Sequence, residues 1–443
     1  MSRRGNTLAQ LRVIGALVAY FVVPIVILLA APWWLLLAIV AVLTGIAATT
    51  RGGRQVLSVI QIGIATIPQR LGSSSVVVVG IAGVVAVLVA LLSMAQGFQQ
   101  TLKETGNDET AIVMRAGSQT ELNSVLAHDS AALVAQAPQV LHGTSGDPIA
   151  SPELVVVASL PKKTTGLDAN VEVRGVGERA WELRPKVQIT AGRKFKSGLR
   201  ELLAGKDARR QFANVEPGST LKLNGQVWTV VGAFDSGDSH NSELWGDTDI
   251  VGSAYRRGSS TTSVTVRLTS PAAFDAFKAG LESDRRLQVD VSTTRQFYNA
   301  QSATISTTIR ILGTVVGVIM AIGAVFGALN TMYAAVAARS REIATLRAIG
   351  FRGTPVILSV MVETLLLALL GGVIGAALAW ALFDNYTAST LGSNFSQVVF
   401  AFKVSPPLLW DGLKWALTIG LVGGLFPALR AARQPVTTGL REL

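Results

Sequence analysis

Two regimes of hydrophobic patterning alternate along the chain. Apolar runs of bilayer length are joined by short basic links on either side of a central region, Gly97 to Ile305, where short alternating segments are broken by Gly, Ser and Asp. A hydrocarbon core about 30 Å thick takes about 20 helical residues. Ser74–Gln96, Ile309–Val336, Pro355–Phe383 and Leu413–Leu429 are therefore predicted to span a membrane. Val13–Ala30 and Leu35–Ala48, separated by Pro32-Trp33-Trp34, predict a membrane hairpin with the Trp pair at the outer interface. A charged start before an apolar run also fits a cleaved signal peptide. The second apolar run and the lack of a small-residue cleavage site before Pro32 favour a retained hairpin.

Between hairpin and first long span, Val56, Val59, Ile60, Gly63, Ile64 and Ile67 recur at helical spacing opposite Arg54, Ser58 and Gln61. This predicts an interfacial helix over Arg54–Arg70, broken at Pro68. In the central region Pro152–Leu160 and Asn170–Gly175 read as strands. Ser219–Leu223 and Gln226–Val231 flank Asn224-Gly225, the pair best suited to a type I′ hairpin turn. Thr262–Leu268, a helix capped by Ser270 with Pro271 at its first position, and Leu287–Val291 make a strand, helix, strand unit of a mixed α/β subdomain. Asp384–Trp410 is predicted to be a second external loop ending in Pro406-Pro407.

Composition fixes the class. With 49% hydrophobic residues the 443-residue chain reads as a polytopic membrane protein. The net charge of +11 raises the question of nucleic acid, which the distribution answers. The region Gly97–Ile305 holds 23 basic and 23 acidic residues, leaving 16 basic and 5 acidic ones elsewhere. The excess lies at the membrane flanks, as the positive-inside rule requires, and excludes nucleic acid as the partner. Basic residues at Arg3, Arg4, Arg12, Arg51, Arg54, Arg70 and again at Arg430, Arg433 and Arg441 fit six crossings with both termini cytoplasmic. Cysteine is absent, so there is neither disulfide framework nor thiolate site. His128, His142 and His240 lack metal-ligand spacing and read as surface residues. The acidic stretch Asp235–Asp247 lacks the Gly and terminal Glu of an EF-hand loop and reads as a solvated loop rather than a cation site.

The link Ala335–Glu363 is the most informative stretch. Ile343, Leu346 and Ile349 recur every third position, while Arg339, Arg341, Glu342, Arg347 and Arg352 take the other face, so a short amphipathic helix is predicted. Gly350 ends it and Pro355 opens the next helix. Such a helix either rests on anionic lipid headgroups or docks a partner. Gly313 and Gly317, Gly323 and Gly327, and Gly371 and Gly375 are pairs at four-residue steps that bring membrane helices close; glycine is also simply commoner in such helices. Glu363 is the one carboxylate inside an apolar span and must pair or be hydrated. A structural partner such as a nearby arginine or a backbone donor is favoured over a proton-coupled step.

The run ARSREIATLRAIGFRGTPVILSVMVETLLLALLGGVIGAALAW resembles the FtsX/MacB family of ABC transporter permeases over Ile309–Leu443. ANVEPGSTLKLNGQVWTVVGAF is similar to that family's periplasmic core, chiefly over Val187–Ser302. The resemblance implies an α-helical polytopic membrane protein with an FtsX-like four-helix permease core, an N-terminal transmembrane hairpin and a large extracytoplasmic α+β domain. Its division is 1–53 hairpin, 54–97 interfacial helix and first core helix, 98–305 outer domain and 306–443 permease domain. In such a type VII system, working by mechanotransmission in the bacterial inner membrane, Arg339, Arg341, Glu342, Leu346, Arg347, Gly350 and Phe351 would couple to an ABC ATPase. Implied partners are that ATPase, a second permease subunit (a copy or a homologue), membrane lipid and, in some systems, a membrane-fusion adaptor. No Gly-x-x-x-x-Gly-Lys-Ser/Thr run occurs, so ATP and Mg belong to a partner chain, and no cofactor, metal or catalytic cluster is expected here. The alternative is an FtsX-like regulatory protein that controls an envelope hydrolase or senses a peptide.

Overall fold

The computed structural model describes residues 23–65 and 71–435. Its helices begin with α1 Val23–Ala30, α2 Trp33–Thr49, α3 Arg51–Ala65 and α4 Leu71–Thr105. Short helices α5 His128–Ala135, α6 Ala180–Leu183, α7 Lys206–Gln211, α8 Thr248–Ala254 and α9 Phe274–Ser283 follow. The chain then returns to long ones: α10 Thr294–Ala338, α11 Ser340–Ala348, α12 Gly353–Phe383 and α13 Pro406–Arg433. The strands are β1 Thr110–Arg115, β2 Ala150–Pro161, β3 Asp168–Val176, β4 Gln188–Gly192, β5 Glu201–Gly205 and β6 Thr220–Leu223. After them come β7 Gln226–Asp235, β8 Glu243–Asp247, β9 Ser263–Arg267, β10 Val289–Thr293, β11 Thr387–Leu391 and β12 Gln397–Ala401.

Contacts divide the chain into two units. One comprises Met1–Ser93, Ile309–Asp384 and Lys403–Leu443; the other comprises Met94–Thr308 with Asn385–Phe402. The polar segment Asn385–Phe402 thus groups with the sheet-bearing unit and not with the rest of 306–443.

In the helical unit, α4, α10, α12 and α13 are long and apolar enough to cross a bilayer, and α2 with the start of α3 forms a pair bent by 105°. Residues 13–22, the first half of the expected N-terminal arm, and the expected helix break at Pro68 lie outside the described residues. Three boundaries differ from expectation. Helix α4 runs on to Thr105, and α10, at 45 residues, begins at Thr294 rather than Ile309. Helix α13 starts at Pro406, because the missing N–H of proline is harmless in a first turn, so Pro406-Pro407 opens the span instead of closing the loop.

Glycine explains the close packing here. A Cβ on Gly375 would sit 2.4 Å from the Ala82 carbonyl oxygen, and one on Gly371 2.8 Å from that of Val78. Gly317 and Gly313 similarly face Leu88 and Leu91 of α4. Gly323 and Gly327 have nothing within 4 Å of the same position.

The second unit is built on a mixed sheet of order β10-β1-β9-β2-β3-β8-β5-β7-β4, with β6 on β7. Strand β2 is long enough to serve two cores: its first residues pair with β9 and its later ones with β3. Helices α5 and α9 cover one core, around Val113, Val266 and Phe277; α7 and α8 cover the other, around Val173, Phe212 and Trp228. Strands β9 and β10 flank β1 antiparallel, with α9 between them in sequence, as the strand, helix, strand pattern predicts. Asn224 and Gly225 both take positive φ, 45° and 78°, between β6 and β7. Ser270 precedes a 3-10 turn, Pro271–Ala273, and makes no side-chain cap.

Candidate functional site

Helix α11 and its surroundings lie within the helical unit. Leu346, Arg347, Gly350 and Phe351 form its C-terminus: the Phe351 N–H donates to Leu346 O (3.1 Å) and the Gly350 N–H to Arg347 O (3.2 Å). That pair of bonds is a Schellman motif, and it needs the φ of +103° that Gly350 adopts. Ile343 and Ala344 are buried, Leu346 and Arg347 half-buried, and Arg341, Glu342, Thr345 and Ile349 exposed. The Arg347 Nη1 group donates to the Gln434 carbonyl after α13.

Two expected positions are corrected by this geometry. Arg339 does not share the outer face with Arg341; it is 8% exposed. Its Nη1 donates to Glu363 Oε2 at 3.0 Å and its Nε to Glu342 Oε2 at 3.1 Å. It sits at the N-cap of α11, where the chain turns, so its side chain falls inward onto α12. The arginine partner expected for Glu363, itself 4% exposed, is this one. Ile349, by contrast, lies outside the apolar seam and is 68% exposed. Beneath α11 a cavity of about 320 Å³ is lined by Val59, Ile343, Leu346, Val356 and Val360 with the polar groups of Arg339, Glu342, Thr345 and Ser359. Ser359 Oγ also donates to the Val59 carbonyl, tying α12 to α3.

The sheet-bearing unit holds a second constellation. Arg174, 2% exposed, gives its Nη1 to Glu121 (2.8 Å) and Glu153 (3.0 Å), its Nη2 to Glu172 (2.8 Å) and its Nε to Glu243 (2.9 Å). Arg184 holds Glu153 in a two-pronged pair at 2.6 and 2.8 Å. Burial alone would raise the Glu153 carboxyl, but the Arg184 and Arg174 charges outweigh it and hold it at about 2. Glu172 goes the other way: burial, then the Glu243 charge, push it up to about 7 against the pull of Arg174. His240 is 2% exposed, within 2.9 Å of Asp238 and 3.4 Å of the Tyr298 hydroxyl.

His240 is therefore no surface residue, whereas His128 and His142 are exposed. The stretch Asp235–Asp247 is likewise not a solvated loop. Ser239–Ser242 form a buried 3-10 turn and Glu243–Asp247 is β8, fully inside the sheet. No group of His, Asp and Glu that could hold a metal ion is present among the described residues.

A model described as FtsX-like permease C-terminal matches residues 314–436, and one described as MacB-like periplasmic core domain matches residues 74–284. The chain is similar to a macrolide export ATP-binding/permease protein MacB of Burkholderia pseudomallei, 24% identical over 70% of this chain and 48% of the relative. It is also similar to that of Vibrio parahaemolyticus, 26% identical over 62% and 43%. The chain spans about half the length of these curated relatives. Among solved structures it is similar to the periplasmic region of MacB from Actinobacillus actinomycetemcomitans, 18% identical, covering 45% of this chain and 92% of that one at a TM-score of 0.33.

Proposed function

The chain belongs to the FtsX/MacB-like permease family, and from that premise we propose that it is the permease subunit of an ABC transporter whose ATPase is a separate chain. The observation that carries the reading is the way α11 is presented and held. Its outward residues Arg341, Thr345 and Ile349, with Gly350 beyond, are exposed and so free to meet a partner. The turn at its start is pinned through Arg339 to Glu363 of α12, so a push on α11 reaches a membrane helix directly. Arg341, Leu346, Arg347, Gly350 and Phe351 form or shape the docking surface. Arg339 and Glu342 position it.

The second permease subunit packs on the open face of α10, where Ile319, Ile322 and Phe326 are exposed beside Gly323 and Gly327. The unit is that of a multi-pass protein of the bacterial inner membrane. Macrolide export is the activity in the relatives' names; here the export or extraction of a substrate by movement of the sheet-bearing unit is part of the proposal.

The test uses the full chain with its cognate ATPase, co-expressed at native levels. Arg341→Glu with Ile349→Asp lowers ATPase co-purification and permease-stimulated ATP hydrolysis at least tenfold while membrane insertion is kept. Unchanged co-purification and stimulation overturn the docking role.

A further inference from the structure

Hairpin β11–β12 closes over the carboxylate cluster of its own unit, and Glu172 is the acid that meets it. Glu172 Oε2 accepts from Asn394 Nδ2 at 3.1 Å and from Ser396 Oγ at 3.2 Å, while Oε1 accepts from Arg174 Nη2 at 2.8 Å. Two further bonds seat the same hairpin: Asn170 Nδ2 donates to the Phe395 carbonyl (3.0 Å), and the Val399 N–H donates to Ser242 Oγ (2.9 Å). Glu121, Glu172, Glu243, Tyr298 and Asn394 wall a cavity of about 30 Å³. Asn394 is 7% exposed and its Oδ1 is buried without a partner.

A bare carbonyl oxygen against acidic walls has the wrong sign. Glu121, Glu153, Glu172 and Glu243 outnumber Arg174 and Arg184, so the cluster lacks positive charge. No group of His, Asp and Glu that could hold a metal ion is found here among the described residues, and both oxygens of Glu121, Glu172 and Glu243 accept from N–H or O–H donors. Among the described residues lining this cavity, Asn394 Oδ1 is the buried side-chain acceptor that lacks a hydrogen-bond partner. One acceptor is enough for a proton. Turning the Asn394 amide places Oδ1 on a Glu172 O–H and sends the NH₂ group towards the carboxylates, satisfying both.

We propose that Glu172 is a proton-binding site through which the surrounding pH sets how firmly the Asn385–Phe402 hairpin is docked on this unit. The hairpin buries Glu172, and burial is the first cause of its raised pKa, ahead of the Glu243 charge. Undocking would rehydrate the carboxyl and let its pKa fall, so the docked form holds the proton more tightly. By linkage, acid seats the hairpin and alkali loosens it. The groups facing Glu172 are Arg174 on its own strand, Glu243 on β8, Glu121 after β1, Glu153 on β2 and Tyr298 on α10, with Arg184 and His240 behind Glu153. The hairpin brings no charged residue, and Tyr386 is its one titratable side chain. This inference is independent of the permease reading.

Hydrogen exchange of the full-length protein in detergent, wild type against Glu172→Gln at the same pH, tests it and cancels intrinsic exchange rates. At pH 8 the Asn394–Val399 amides of the wild type should exchange at least about fivefold faster than those of Glu172→Gln, and the difference should close towards pH 4. A ratio that does not change with pH, or greater wild-type protection at pH 8, overturns the proposal. Should Glu172→Gln fail to fold, the wild-type hairpin amides are compared with those of β5 across pH. A rise in their relative exchange as pH climbs above the ordinary carboxylate range supports the site, and a flat ratio overturns it.

Discussion

Arg339 and Glu363 stand 24 residues apart in sequence yet meet at 3.0 Å, both almost fully buried, one at the start of α11 and the other in α12. Within an apolar span neither charge is tolerable alone, so each is the condition for the other's presence.

Removing Arg339 takes a guanidinium from a buried carboxylate, and removing Glu363 leaves that guanidinium with the exposed Glu342, each at a cost of up to about 3–5 kcal/mol. Glu363→Ala and Arg339→Ala should each lower the thermal midpoint of the purified protein strongly. The double variant Arg339→Met with Glu363→Leu should recover most of the loss. A double-mutant cycle without coupling would show that the pair does not hold α11.

Gly350→Ala forces a side chain into a φ of +103°, at roughly 1–2 kcal/mol. The two Schellman bonds are the first to weaken, so the amides of Gly350 and Phe351 should exchange faster, while those of α12 are unchanged. Equal exchange at these two amides would mean that the cap does not depend on glycine.

The four long apolar helices, the Asn224-Gly225 turn and the strand, helix, strand unit were legible because each is set by local periodicity or by a backbone angle that one residue type supplies. The arginine partner of Glu363 was legible as a class, from the cost of a lone carboxylate in hydrocarbon. The Arg174 cluster was not. In VEVRGV the alternation sends Val171 and Val173 to one core and Glu172 and Arg174 to the opposite face, which in an ordinary strand would meet water. Its cover includes Asn394 and Ser396, more than 200 residues later, at separations of 222 and 224. No local pattern carries that contact. For the same reason His240 and β8 read as polar surface until the neighbouring strands were in place. Arg339 departs from the helical wheel because it sits at the cap, where the backbone leaves helical geometry with φ −110° and ψ 11°.

The glycines of the spans should separate by what faces them. Gly375→Ala puts a methyl 2.4 Å from a backbone oxygen and should destabilise the protein by about 1–3 kcal/mol, read as a lower thermal midpoint. Gly323→Ala meets open space and should leave that midpoint unchanged. Gly323→Trp should weaken self-association in light scattering or pairing with a homologous subunit. An intact oligomer would remove the α10 face from the interface.

Acid should act on the sheet-bearing unit with two opposing signs. The folded pKa of Glu153 is depressed from 4.5 to about 2, so its contribution is present above the unfolded value and is lost as pH falls through that window. About 2.5 units at 1.36 kcal/mol each make this about 3 kcal/mol, undiscounted because the carboxyl is fully enclosed. Glu172 is raised from 4.5 to about 7, so the folded unit binds an extra proton between those values and its stability falls as pH rises through them. Denaturant unfolding followed by exchange in β3 and β8 should give a maximum near pH 4.5–5, with losses on both sides. In Glu172→Gln the loss above pH 5 should vanish while the acid limb stays. In Glu153→Gln the acid limb should flatten, because Arg184 and Arg174 no longer hold a carboxylate against protonation, and the whole curve should lie lower. An acid limb unchanged in Glu153→Gln would assign it to other carboxylates.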